Sequence, residues 1–167
     1  MERYREQLAR TRRYYERFKK LNDGKAKEPP SGASMDYSYA FFQHCYHMKD
    51  WLRNDPAYTF HSDKEIEDHI SKSRELSICA DICNGSKHLA FDRAPRSGAK
   101  PKFGRKIESE TTVSTDGKVD YRSFAMFVEL EHAGARRDAF QLATAALESW
   151  ESLLKEAGVA LHQPDTT

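Results

Sequence analysis

The chain has 167 residues with 38% hydrophobic and 11% aromatic side chains, the size of one domain at ~100–200 residues each and too rich in large apolar groups for a disordered chain. No apolar run approaches the ~20 residues of a membrane-spanning helix, and three cysteines, Cys45, Cys79 and Cys83, are an odd and sparse set for a disulfide framework. The charged start Met1-Glu2-Arg3-Tyr4-Arg5 has no apolar core behind it, so the expectation is a cytoplasmic domain with no secretory leader and no membrane partner.

In chain order, Tyr4, Leu8, Thr11, Tyr15 and Phe18 recur at spacings of four and three, which predicts a first helix over residues 1–24 with arginines on its other faces. Asn22-Asp23-Gly24 stops it, and Lys25 to Gly32, with Pro29-Pro30, reads as a loop. A second helix is expected from Ser34 to Asn54, with Ser34 as N-cap and Asp36 in the first turn. Its broad stripe of Tyr37, Ala40, Phe41, His44, Cys45, Met48, Trp51 and Leu52 suits a central bundle helix, and Asp55-Pro56 ends it. Ser62 and Glu65 have the spacing of a capping box before Ile66 and Ile70. Arg74 to Asn84 continues helical with Leu76, Cys79, Ile82 and Cys83 inward. Whether 62–84 is one helix or two stays open, as does whether Asn84 to His88 caps that helix or extends it by a turn.

From Arg105 the period becomes 2. Ile107, Ser109, Thr111 and Val113 alternate with polar neighbours, Thr115-Asp116-Gly117 supplies turn chemistry, and Val119 to Leu130 returns with Phe124, Met126, Val128 and Leu130 on one face. Phe140, Ala143, Leu147, Trp150 and Leu154 mark a C-terminal helix, placed at 135–158 and closed by Gly158, with 159–167 as a loose tail. The predicted fold is mainly α (α+β): a single domain over 1–167, built as an up-and-down helical bundle with central helices over 33–90. A β-hairpin over 106–131 is inserted before the C-terminal helix.

The formal net charge of +1 conceals segregation. Residues 2–22 carry eight Lys/Arg against three Glu. Residues 86–106 carry Lys87, Arg93, Arg96, Lys100, Lys102, Arg105 and Lys106 against Asp92 alone. A solvated helix face with a basic loop accounts for this, and so does a footprint for a polyanion. The sharpest chemical cluster is Asp81, Asn84, Ser86, Lys87 and His88, where the helix enters that basic stretch. An imidazole beside an ammonium suits phosphodiester work: one moves a proton near neutral pH, the other steadies charge on phosphate. The competing reading makes Asn84-Gly85 a C-cap and His88 a packing residue.

His44 and His47 at i and i+3, with Cys79 and Cys83 at i and i+4, have metal-ligand spacing. His44 and Cys45 fall within the apolar stripe, however, and no CxxC pair is present. Core cysteines with no metal, and no cofactor, are therefore expected. Gly98 and Gly104 lack the spacing of a phosphate loop. No nucleophile-elbow sequence supports a Ser/His/Asp set, and the aromatics of the first two helices suit a core better than base stacking.

The run Ala40 to Leu52, followed by Ile78-Cys79-Ala80-Asp81-Ile82-Cys83-Asn84-Gly85-Ser86-Lys87-His88, resembles the HEPN superfamily of small helical-bundle domains. The likeness spans roughly 35–90 and 135–158. It implies a compact, often dimeric bundle from bacterial or phage defence systems, and in many members a metal-independent endoribonuclease. The family signature is an arginine, a polar residue, three variable residues and a histidine. Here Asn84 matches the polar position and His88 the histidine, while the arginine position holds Cys83, and a thiol lacks the guanidinium fork. The resemblance strengthens the case for RNA contact, and the basic run, which with the hairpin would be an addition to the family's bundle, supplies its residues: Arg93, Arg96, Lys100, Lys102, Arg105 and Lys106. If the domain cleaves, a ribose 2′-hydroxyl attacks its own phosphate, with His88 handling the proton, Asn84 orienting and Lys87 steadying charge. The rival is a non-catalytic module that docks on a partner protein or on a second copy as a homodimer.

Overall fold

The computed structural model describes residues 2–26, 31–87 and 94–161. Among them the helices are α1 (Arg3–Asn22), α2 (Gly32–Asn54), α3 (Asp63–Lys72), α4 (Arg74–Lys87) and α5 (Ala139–Glu156). Helices α1, α2, α4 and α5 pack in cyclic order, each against the next, with short α3 laid against α4 and α2. The apolar stripes meet inside that ring: Tyr4, Phe18, Phe41, Phe42, Met48, Ile78 and Trp150 are all fully buried. Each large side chain removed from water stabilises the fold by ~1.5–3 kcal/mol before entropy is counted. The one polar atom of the Trp150 ring is satisfied, since its Nε1–H donates to the Cys45 carbonyl at 2.8 Å.

The start of α1 is fixed from a distance. Glu2, at its N-cap, makes no side-chain capping bond. Instead the Asp55 carboxylate, just past the end of α2, accepts the Tyr4 N–H at 2.9 Å and the Ala57 N–H at 3.0 Å. Burial pushes the Asp55 carboxyl up, but the amides of Ala57 and Tyr4 outweigh it and hold the group below the usual carboxylate range. Helix α3 opens with the complete Ser62–Glu65 capping box. Extended backbone at Ser73 separates α3 from α4, so residues 62–87 form two helices. Helix α4 runs through Asn84 and Gly85 to Lys87, which makes this pair helix interior rather than a C-cap.

Strands β1 (Lys102–Val113), β2 (Val119–His132) and β3 (Ala135–Asp138) form an antiparallel sheet in the order β1-β2-β3. The register runs from Lys102 opposite Glu131 to Val113 opposite Val119. Met126, Val128 and Leu130 of β2 are buried, and β2 packs on α1 and α5. On β1 only Phe103 is partly covered, so the alternation from Ile107 to Val113 encodes strand pairing rather than a buried face.

Four boundary expectations need correction. Helix α2 starts at Gly32, which places Ser34 inside the helix and Asp36 beyond its first turn. The hairpin starts at Lys102 and returns to His132 rather than spanning 106–131. Residues 135–138 are strand, not helix. Ala133 and Gly134 both take positive φ, 52° and 75°, the two-residue turn that reverses a strand tightly. Helix α5 therefore begins at Ala139, where Asp138 accepts the N–H groups of Phe140 and Gln141. Finally, the tail is anchored at its start: Val159 is buried, and Arg5 Nη1 donates to the Ala160 carbonyl at 2.6 Å. Residues 27–30, with Pro29-Pro30, and 162–167 lie outside the described residues.

Candidate nucleic-acid interface

The last turn of α4, the middle of α2 and the start of β1 enclose a cleft of ≈ 500 Å³. Asp81, Gly85 and Ser86 form one wall, and Tyr39, Lys102 and Phe103 form the other. Gln43 of α2 donates to the Ser86 hydroxyl at 2.8 Å, and that hydroxyl donates to the Cys83 carbonyl at 2.8 Å, which pins the helix end to α2. The Tyr39 and Phe103 rings lie 4.7 Å apart at 59°. Burial, with Asp36 adding to it, pushes the Tyr39 hydroxyl up, so it stays a neutral hydrogen-bonding group at the cleft mouth. Apolar rings beside a cation and a polar helix end are what a base and its phosphate require together.

The residues expected to act as a site fall into four groups. Asn84 is exposed in the last turn of α4, and Lys87 is the final helical residue. His88 and Arg93 lie outside the described residues. Lys100, Lys102 and Arg105 are exposed around the cleft and along β1. Strand alternation puts Lys102 and Lys106 on one face of β1 and Arg105 on the other, and Lys106 pairs with Glu108 at 2.5 Å. Arg96 is held elsewhere. Its Nη2 meets the Glu67 carboxylate at 2.9 Å, the Glu67 carbonyl at 3.0 Å and the Ser71 hydroxyl at 2.7 Å. This clamp fastens the loop to α3. Burial pushes the Glu67 carboxyl up, yet Arg96 and Lys49 together hold it below the usual range.

Buried Asp81 holds the same loop. It accepts the Arg96 and Ser97 amides at 2.7 Å each and the Ser97 hydroxyl at 2.5 Å. The Ser97 oxygen in turn lies 2.8 Å from His132 Nε2. These are the residue types of a hydrolytic triad in the wrong order. A nucleophilic serine gives its proton to a histidine that an acid orients, whereas Ser97 gives its proton to the acid. The arrangement is a loop clamp.

The cysteines and the α2 histidines are packing groups. Cys83 is fully buried with its Sγ 3.4 Å from His47 Nε2. Cys79 is also fully buried; burial and a hydrogen bond with Cys45 push its thiol up, so it stays protonated. His44 stacks on Tyr14 at 4.9 Å, and burial, with Arg10, His47 and Arg13 adding to it, pushes the ring down to about 4. Among the described residues no three His, Cys, Asp or Glu side chains converge as a metal-holding group.

Sequence reasoning missed the two cleft rings, Tyr39 and Phe103. The available signal was the Pro101-Lys102-Phe103 triplet, where an aromatic sits inside a basic run. Compared with family models, curated proteins and solved structures, the chain finds no match.

Proposed function

We propose that this chain is a HEPN-like helical domain that contacts RNA, with the α4–β1 cleft receiving a base and the lysines and arginine around it meeting the backbone. The observation that carries the reading is the cleft itself. Tyr39 and Phe103 line it together with the polar end of α4, and exposed Lys102 borders it. The reading is one of binding before cleavage. At the position where the family signature has its arginine, this chain has Cys83, fully buried against His47. A guanidinium there would enter the core rather than reach a scissile phosphate.

The deciding experiment titrates a fluorescent single-stranded RNA against salt, in EDTA, for the wild type and a Lys100→Ser, Lys102→Ser, Arg105→Ser, Lys106→Ser variant. Affinity of the wild type is expected to fall steeply, with a log–log slope near ~0.7 per phosphate met, and the variant to lose ~2–3 from that slope. An unchanged slope with unchanged melting removes the proposed surface. The same mixtures, run on a gel, test cleavage. His88→Ala abolishes any EDTA-resistant cleavage if His88 moves the proton, an effect of ~10²–10⁴-fold in rate.

A further inference from the structure

The opposite end of α4 carries a second pocket that neither the signature nor the basic run involves. Between the start of α4, the end of β3 and the first turn of α5 lies a cavity of ≈ 370 Å³, lined by Arg74, Glu75, Arg136, Arg137, Asp138 and Gln141. Buried Ile78 and Leu142 form its floor, so charges above them are less screened than on an open surface. From Arg74 to Ser86 is twelve residues of helix, about 18 Å of axis at 1.5 Å per residue, which separates this pocket from the cleft.

Its carboxylates are engaged. Asp138 accepts the Phe140 and Gln141 amides at 2.7 and 3.1 Å, and Glu75 takes the Ser73 hydroxyl at 3.3 Å. Arg136 leans on Glu129 at 3.8 Å. Arg74 and Arg137 differ: among the described residues no hydrogen bond or ion pair of either guanidinium is seen. The Arg137 Nε–H is moreover a buried donor with no acceptor. Leaving such a donor unmet costs ~1–3 kcal/mol, more when it is charged, and with no carboxylate among the described residues paired to either guanidinium, both are left to meet an anion that enters the cavity. Burial, then Arg74 and Arg137, push the nearby His132 ring down, so it stays neutral and brings no competing cation.

We propose that this pocket binds a phosphate group, gripped by Arg74 and Arg137 with Arg136 at the rim. Guanidinium forks match phosphate oxygens in pairs, and a tetrahedral dianion offers enough oxygens for both forks at once. The phosphate comes either from a small phosphorylated compound or from a nucleic-acid terminus, and the chemistry of the grip is the same.

The test is a titration of the full-length wild type with inorganic phosphate at constant ionic strength, watched through arginine Nε–H resonances. The Arg137 resonance is expected to move and saturate, while that of Arg12, ion-paired to Glu151, stays still. An Arg74→Ser, Arg137→Ser variant weakens phosphate binding at least about tenfold, the loss of one charge-assisted hydrogen bond or more. An Arg137 resonance that never saturates, or an equal affinity in the double variant, overturns the proposal. Because the first reading needs only the wild type, a variant that fails to fold leaves the test intact. A short RNA with a 5′-phosphate that binds tighter than its 5′-hydroxyl twin in the wild type, but not in the Arg74→Ser, Arg137→Ser variant, assigns the phosphate to nucleic acid. Equal binding of the two assigns it to a small compound. Neither arm depends on the cleft, so phosphate binding and RNA contact there stand or fall separately.

Discussion

Helix α1 and strand β1 both concentrate positive charge, but they hold it differently. On α1, Arg10 pairs with Glu6 at 2.6 Å, Arg12 with Glu151 of α5 at 2.7 Å, and Arg5 with Glu2. Arg17 covers the Tyr14 and Tyr37 rings at 5.1 and 5.6 Å, and Arg10 lies over Trp51 at 5.6 Å. Arg12 fastens α1 to α5, and Arg10 and Arg17 fasten it to α2 through Trp51 and Tyr37, while the Glu6 and Glu2 pairs stay within α1 and its N-cap. On β1, Lys102 and Arg105 stand exposed on a strand that buries almost nothing. A count of basic residues treats the two alike, yet Arg5, Arg10, Arg12 and Arg17 are engaged by neighbours, whereas Lys102 and Arg105, like Arg13, Lys19 and Lys20 of α1, stand exposed. Availability depends on which neighbours the fold supplies.

Four substitutions or conditions sharpen that contrast, the largest effect first. Phe18→Ala, inside the ring, is expected to cost about 3–5 kcal/mol by denaturant unfolding, whereas Val113→Ala at the hairpin tip stays within about 0.5 kcal/mol. Equal losses would mean the hairpin is as integral as the helices. Acid comes next. His44 titrates near 4 in the fold, below its usual 6.5, so the unfolded chain takes up the proton first as pH falls. The stability it contributes is complete above about 6.5 and is lost progressively down to about 4, on the order of 2 kcal/mol after allowing for its partial exposure. His44→Gln should flatten that window in a pH series of melting curves. Arg12→Ala should cost about 1 kcal/mol, at the upper end for surface pairs because both partners are mostly covered. Last, Arg105→Ala should leave stability within about 0.5 kcal/mol while lowering the RNA salt slope by ~0.7. A change in stability without a change in slope would place Arg105 with the α1 arginines.

The helices were legible because their signal is local. Phe140, Ala143, Leu147, Trp150 and Leu154 repeat at the helical period, and Ser62–Glu65 carries its own cap, so no distant residue is needed to read either. Strand β3 was hidden because Ala135-Arg136-Arg137-Asp138 has no apolar alternation; the Ala133-Gly134 turn and pairing to β2 make it a strand. At the candidate site, Asn84 was legible as the polar residue of the helix end. The role of Arg96 was not, since its partners Glu67 and Ser71 lie 29 and 25 positions away. Tyr39 and Phe103 likewise become one wall only when α2 and β1 meet. Arg74 and Arg137, 63 positions apart in sequence, share a pocket for the same kind of reason.

The carboxylate that fixes the start of α1 has a consequence for the order in which the chain is made. Tyr4 leaves the ribosome ahead of the Asp55 oxygen that receives its amide, which follows 51 residues later. At ~5–20 residues per second that is a delay of roughly 3–10 s. During that interval the first turn of α1 has no cap of its own, since Glu2 supplies none, and an amphipathic helix draws most of its stability from tertiary packing that is not yet there. The nascent α1 segment therefore presents its tyrosines and Phe18 to whatever waits at the exit tunnel until α2 is finished. Glu2→Ser, which gives the helix a local cap, should shorten that exposure and reduce capture of the nascent chain by chaperones.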